Sequence, residues 1–204
     1  MKVLLDKGTN IDTAIDRKCT ALHYAANGGH METEALLDRG ASIAATTHGK
    51  WTALHWATTG GHIEVVKLLL DRGATIDAIP NSGTALHVAA SVGHLEVVKV
   101  LLDRGANSDA TTGRRRTALH LAAGEGHIEI VKVLLDRGVA IDATTDEKWT
   151  ALHYAASWYH SEVMKVLLGR GTNIDATNVK GRTALHEACV SERLPWDSRH
   201  IEVV

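Results

Sequence analysis

Cysteine is close to absent from this chain. Cys19 and Cys189 are the only two among 204 residues, one in the first third and one in the last, so no disulfide framework can staple the fold. That usage fits a reducing, intracellular compartment, cytoplasmic or nuclear. An excess of one charge is lacking too: 22 Lys and Arg stand against 24 Asp and Glu, a formal charge of −2. A nucleic-acid binder usually carries a basic domain or stripe, so nucleic acid is not the expected partner. No apolar run approaches the roughly 18 residues that a membrane span needs. The opening Met1-Lys2-Val3-Leu4-Leu5-Asp6 also lacks the long apolar stretch of a signal peptide. Hydrophobic residues nevertheless make up 45 %, ample for a core, which argues against disorder.

Motifs of chemistry are missing as well. There is no phosphate-binding Gly-x-x-x-x-Gly-Lys-Ser/Thr, no Cys-x-x-Cys and no His-Glu-x-x-His. Nor is there a unique, converging set of nucleophile, base and ligand groups. The expectation is a chain that is not an enzyme and holds no cofactor or metal.

What the sequence has is repetition. Thr-Ala-Leu-His begins at Thr20, Thr52, Thr84, Thr117, Thr150 and Thr183, at spacings of 32, 32, 33, 33 and 33. A second phrase, Leu-Leu-x-Arg/Lys-Gly, ends at Gly8, Gly40, Gly73, Gly105, Gly138 and Gly171. The Thr suits an N-cap, and Ala-Leu-His-x-Ala-Ala reads as a short helix after it. Gly29, Gly61, Gly93 and Gly126 fall where that helix must stop. The run His62-Ile63-Glu64-Val65-Val66-Lys67-Leu68-Leu69-Leu70-Asp71-Arg72 has apolar residues at helical spacing and ends on Gly73, a C-cap residue tolerant of left-handed geometry. Each unit is thus an antiparallel helix pair, followed by a polar connector such as 41–51 that projects as a turn or short hairpin. Helices this short are marginal alone, so neighbouring pairs must bury each other's apolar faces.

These phrases resemble the ankyrin family, whose roughly 33-residue unit carries Thr-Pro-Leu-His-x-Ala. The resemblance implies an all-α solenoid of stacked helix-turn-helix units joined by short β-turn or hairpin connectors. It covers nearly all of residues 1–204 as a single domain: a partial repeat 1–14, repeats near 15–46, 47–79, 80–111, 112–144 and 145–177, and a partial repeat 178–204. Ala21, Ala53, Ala85, Ala118, Ala151 and Ala184 replace the family's Pro, a change helices accept. The chain opens inside one second helix, Met1 to Lys7, and stops inside another, His200 to Val204, as a fragment of a longer array would. Between Thr183 and His200 the spacing is 17 instead of 10, an insertion within Val190–Arg199 that carries Pro195 and Trp196.

Twelve of the 13 histidines are explained by the repeat. His23, His55, His87, His120, His153 and His186 close Thr-Ala-Leu-His, where an imidazole can reciprocate the Thr cap as Glu does in a capping box. His30, His62, His94, His127, His160 and His200 open second helices. Only His48, on a connector, is out of register.

Comparing the copies separates positions that serve the fold from positions free to serve a partner. The residue before Thr varies as Cys19, Trp51, Gly83, Arg116, Trp149 and Arg182, and a place that accepts charge is expected to be partly exposed. The residue after Leu-His varies as Tyr24, Trp56, Val88, Leu121, Tyr154 and Glu187, where Glu argues against full burial. The end of the first helix also varies, including Gly124-Glu125 and Ser157-Trp158. All eight aromatics avoid the second helices. At Ser157-Trp158-Tyr159-His160, Tyr159 replaces the turn Gly, so the turn is altered there or its cost is offset.

The resemblance implies that connectors and first helices line a groove that holds a partner protein. The chain is therefore expected to be a monomeric interaction scaffold with an unidentified protein partner. Its candidate contact residues are Trp51, Trp56, Arg114, Arg115, Arg116, Glu125, Trp149, Tyr154, Trp158 and Tyr159. Trp149, Tyr154, Trp158 and Tyr159 are expected to form one aromatic patch, with packing between repeats as the plainer reading. Two other readings stand beside this one: a targeting or regulatory arm of a larger multidomain enzyme or signalling protein, and a weak nucleic-acid or lipid contact through Arg114–Arg116.

Overall fold

The computed structural model describes residues 10–80 and 82–191, in two compact units that divide between Gly113 and Arg114. The expected half-helices at the two ends, and Pro195 and Trp196, lie outside the described residues. In the first unit the helices are α1 (Ala21–Asn27), α2 (Glu32–Asp38), α3 (Ala53–Thr59), α4 (Ile63–Asp71), α5 (Ala85–Val92) and α6 (Leu95–Asp103). The second holds α7 (Ala118–Gly124), α8 (Ile128–Asp136), α9 (Ala151–Ser157), α10 (Ser161–Gly169) and α11 (Ala184–Ser191). Among the described residues there is no β-strand; an isolated antiparallel bridge joins Ile15 to Cys19. The chain is all-α, as the periodicity predicts.

Each first helix starts where its Thr stands. Thr52, for example, is extended at φ −97° and ψ 169°, and Ala53 opens α3. The companion His closes the cap: the Thr20, Thr84 and Thr117 backbone N–H groups donate to Nδ1 of His23, His87 and His120 at 3.2, 3.1 and 3.1 Å. Because Nδ1 accepts, the ring proton sits on Nε2, which then points at the next repeat. In the second unit His120 Nε2 donates to the carbonyls of Ala143 and Trp149, both at 3.0 Å, and His153 Nε2 to that of Arg182 at 3.0 Å. His23 does the same to Trp51 at 3.2 Å in the first. One residue type thus caps its own helix and fastens the following connector.

Within each unit the helix pairs stack by small residues inside and branched ones behind. In the first unit α1 packs on α3 and α3 on α5; in the second α7 packs on α9 and α9 on α11. Buried alanines such as Ala57, Ala89, Ala122 and Ala155 let these first helices approach closely. Second helices close the other side of each core with fully buried Leu69, Leu101, Leu134 and Leu167. Each such leucine contributes roughly 1.5–3 kcal/mol by leaving water.

The second set of histidines also ties repeats together. His62 Nε2 donates to the Asn27 carbonyl at 2.7 Å, His94 to Thr59 at 3.0 Å and His160 to Gly124 at 2.9 Å. These rings lie against the turn glycines: a Cβ on Gly61 would come within 2.7 Å of His94, at a backbone φ of +68°. Glycine is required there twice over, by left-handed backbone and by the imidazole.

Second helices carry a ladder that the hydrophobic pattern does not reveal. Arg72 bridges to Asp38 at 2.7 Å and Arg104 to Asp71 at 2.6 Å in the first unit, and Arg170 to Asp136 at 2.6 Å in the second. The signal was the recurring Asp-Arg before Gly, one repeat apart.

Candidate functional site

The connectors end in tight turns. Thr47 N–H donates to the Trp51 carbonyl at 3.0 Å, Thr145 to Trp149 at 3.0 Å and Asn178 to Arg182 at 2.9 Å. Neighbouring tips are stitched by single backbone bonds: His48 to Arg17 at 2.8 Å, Asp146 to Arg114 at 3.4 Å, and Val179 to Glu147 at 3.0 Å. The residue two before the Thr turns through positive φ, where glycine is favoured, in every copy but the one at Thr84, where Gly83 takes the positive φ instead. Gly181 occupies that place before Thr183, but Lys18, Lys50, Arg115 and Lys148 occupy it elsewhere, with φ between 56° and 62°. A long side chain held there costs on the order of 1 kcal/mol. This run of strained cations is invisible to a reading based on periodicity.

In the first unit the variable aromatics gather between neighbouring repeats. Trp56 lies 6.1 Å from Tyr24 and 6.3 Å from His23, and Trp51 lies 5.6 Å from His55, measured between ring centres. Trp51 and Trp56 are half-buried, whereas Tyr24 is 45 % exposed. The Trp56 indole N–H is buried and finds no acceptor among the described residues.

In the second unit Trp149 stacks edge-on to Tyr154 at 5.1 Å, and the Arg116 guanidinium lies over the Tyr154 ring at 5.7 Å. Burial pushes the Tyr154 phenol above its ordinary pKa, while Arg116 beside it pulls the other way. Arg114 and Arg116 line one cavity with Thr145, Asp146, Glu147 and Tyr154; Arg115, exposed, is not among its walls. Glu125 is exposed just beyond α7.

Trp158 and Tyr159 stand exposed on the turn after α9, at 43 % and 46 %. That turn keeps the left-handed geometry of the glycine copies, with Tyr159 at φ 59°. The strain is offset by a hydrogen bond, Tyr159 Oη donating to the Ala188 carbonyl at 2.6 Å.

Two inferences about exposure need correction. Glu187 is buried at 6 %, because Asn178 Nδ2 donates to its carboxylate at 2.7 Å and Arg182 stands 3.7 Å away. A charge can be buried where partners replace its water. Cys19 and Gly83, in the column before Thr, are buried too, so that column is not uniformly open.

Among the described residues no group of three or more His, Cys, Asp or Glu side chains is placed to hold a metal ion, and no helix is long and apolar enough to cross a membrane.

A family model described as ankyrin repeats, in three copies, matches residues 1–80, 75–145 and 137–204. No curated protein matched the sequence. Among solved structures, the human ASB11 ankyrin repeat domain is similar at 29 % identity and a TM-score of 0.84, over 95 % of this chain and 92 % of that one. Ankyrin repeats are in general protein-interaction modules, and the fold is typically non-catalytic. With matches that run the length of the chain and capped helix pairs repeating every 32 or 33 residues, the protein belongs to the ankyrin-repeat family.

Proposed function

We propose that this chain holds a partner protein against its connectors and first helices, along the groove that such repeats form. The observation that carries this reading is the division of labour between columns. Within Thr-Ala-Leu-His, positions that hold still are buried or capping in the inner copies, such as Thr52, Leu54 and His55, although Leu185 in the last described copy is exposed. Many positions that vary stand in solvent at the ends of first helices, among them Val92 at 48 % and Trp158 at 43 % exposure. Exposed aromatics offer large contact area at little entropic cost. Trp51, Trp56, Trp149 and Tyr154 pack in part between repeats and stay partly exposed.

The test is capture of partners by the full chain, followed by a direct binding titration with the purified partner. Tyr24→Ala and Trp158→Ala are expected to weaken binding by at least about 1 kcal/mol each where they touch the partner. Lys99→Ala, on a second helix, is expected to change nothing. Loss of binding in the second-helix variant with full binding in the others would overturn the reading. The alternative, a regulatory arm within a larger protein, uses the same surface and predicts the same result.

A further inference from the structure

Six non-glycine residues among those described take positive φ, and five of them are cations on connector tips: Arg17, Lys18, Lys50, Arg115 and Lys148. The sixth, Tyr159, offsets its strain within the chain, by the Oη hydrogen bond to the Ala188 carbonyl. The cations have nothing equivalent. All five are exposed, and among the described residues none has a side-chain hydrogen bond, ion pair or ring contact. Backbone strain persists where something else is gained from it, and it gathers at binding sites.

The column two before each Thr reads Lys18, Lys50, Ser82, Arg115, Lys148 and Gly181. Lys and Arg are 22 of the 204 residues, so a column that is basic in four copies of six is enriched in charge. The fold does not ask for that charge, because Gly181 makes the same turn. Nor does the column merely travel with its neighbours: the residue before it changes from Arg17 to Gly49, Arg114 and Glu147, and the one after it from Cys19 to Trp51, Arg116 and Trp149.

In each unit two of these cations stand on tips bonded to each other. His48 N–H donates to the Arg17 carbonyl at 2.8 Å, joining the tips of Lys18 and Lys50; in the second unit Asp146 N–H donates to the Arg114 carbonyl at 3.4 Å, joining those of Arg115 and Lys148. The tips are thus held before any ligand arrives, which lowers the ordering cost of binding. Asp16, Asp146 and Glu147 interrupt the positive charge without pairing with it. A polymer charged at every unit, such as a nucleic acid, meets those carboxylates as well, whereas a chain with spaced carboxylates can set them on the cations alone.

We infer that the paired connector tips of each unit, Lys18 with Lys50 and Arg115 with Lys148, dock an extended segment of a partner protein in which acidic residues alternate with neutral ones. The inference rests on the partner-binding reading above and names the chemistry of the partner at the tips. In an extended segment, side chains two residues apart point the same way and lie about 7 Å apart, so one segment offers successive carboxylates to neighbouring tips. Such exposed charges steer encounter and set register more than they add affinity.

The experiment titrates the full chain with three probes: a blocked peptide of alternating Glu and Ser, the same peptide with Lys in place of Glu, and a single-stranded oligodeoxynucleotide of the same charge as the first. The Glu-Ser peptide is expected to bind best, and more weakly as salt rises. Lys18→Gln, Lys50→Gln, Arg115→Gln and Lys148→Gln together keep the turns and remove the charge, and weaken it roughly threefold to tenfold, as loss of two exposed ion pairs at each site does. Gly at the same four positions weakens binding as much but raises the urea midpoint, because glycine relieves left-handed backbone. Circular dichroism checks that both variants stay helical. Equal binding by the Gln variant, tighter binding of the oligonucleotide or the Lys-Ser peptide, no binding of the Glu-Ser peptide, or a lower urea midpoint in the Gly variant would each overturn the inference. A natural partner that binds the Gln variant as well as the wild type, but is lost with Tyr24→Ala and Trp158→Ala, would overturn it while leaving the general partner-binding surface intact.

Discussion

His55 and His120 occupy the same place in the same phrase, one in each unit, and their fates differ. His120 reaches two carbonyls of the following connector through Nε2. His55 is just as buried, but its Nε2 finds no partner among the described residues. The connector after His55 runs from Gly73 to Thr84, one residue shorter than the others, and contains Pro80. The carbonyls of Gly83 and Ala78 lie near enough to favour charge on the ring without completing a hydrogen bond, and burial outweighs them, pushing its pKa down to about 4. Half of an inter-repeat fastening is thus written in Thr-Ala-Leu-His, and the other half in the length of a connector some 25 residues later.

The largest expected effect that exposes this difference is acid sensitivity. Below pH 6.5 the unfolded chain protonates this histidine, whereas the folded chain keeps it neutral until about pH 4. The unfolded state therefore binds more protons in that window, and stability falls as pH drops through it. The full shift corresponds to on the order of 3 kcal/mol. Hydrogen exchange between pH 7 and pH 4 should show α3 and its neighbours opening first, and His55→Gln should flatten the slope. An unchanged slope would separate the acid response from His55.

A smaller effect comes from making the same change in both units. His120→Gln is expected to cost about 2 kcal/mol in urea denaturation, since a buried cap and two carbonyls lose a partner. His55→Gln should cost about 1 kcal/mol less, having no Nε2 bond to lose. Equal costs would mean that the fastening contributes nothing.

Insertion of one residue between Ser82 and Gly83 restores the common connector length. It is expected to raise stability by about 1 kcal/mol by bringing a carbonyl to His55 Nε2, visible as a higher urea midpoint at constant slope. Lys50→Gly and Lys148→Gly, one per unit, should each add roughly 0.5–1 kcal/mol by relieving left-handed backbone. The smallest effect belongs to the second-helix ladder. Arg104→Ala and Arg170→Ala should each cost only about 0.2–1 kcal/mol, and less at high salt, because both pairs are largely exposed.

Most of the fold was readable in advance because its determinants are local. A Thr cap, an apolar face at helical spacing and a terminating Gly lie within one repeat, so α3, α4 and the turn at Gly61 follow from 52–73 alone. The structural role of the Thr-Ala-Leu-His histidines was readable for the same reason. The surface was less so. Glu187 looked exposed because its partners, Asn178 and Arg182, are polar residues on a connector with no periodicity to announce them. The placing of Arg114, Arg116 and Tyr154 around one cavity depends on two connectors meeting, 30 residues apart in sequence.

By itself, then, the sequence determined the all-α repeat, the start and stop of its helices and the columns that vary. Local backbone preference and side-chain periodicity suffice for each of these. Tertiary structure alone decided which histidine is orphaned, which carboxylate is buried and which charged residues line one cavity. Those outcomes depend on what stands opposite a residue one repeat away, and the distance across that gap is set by connector length and packing.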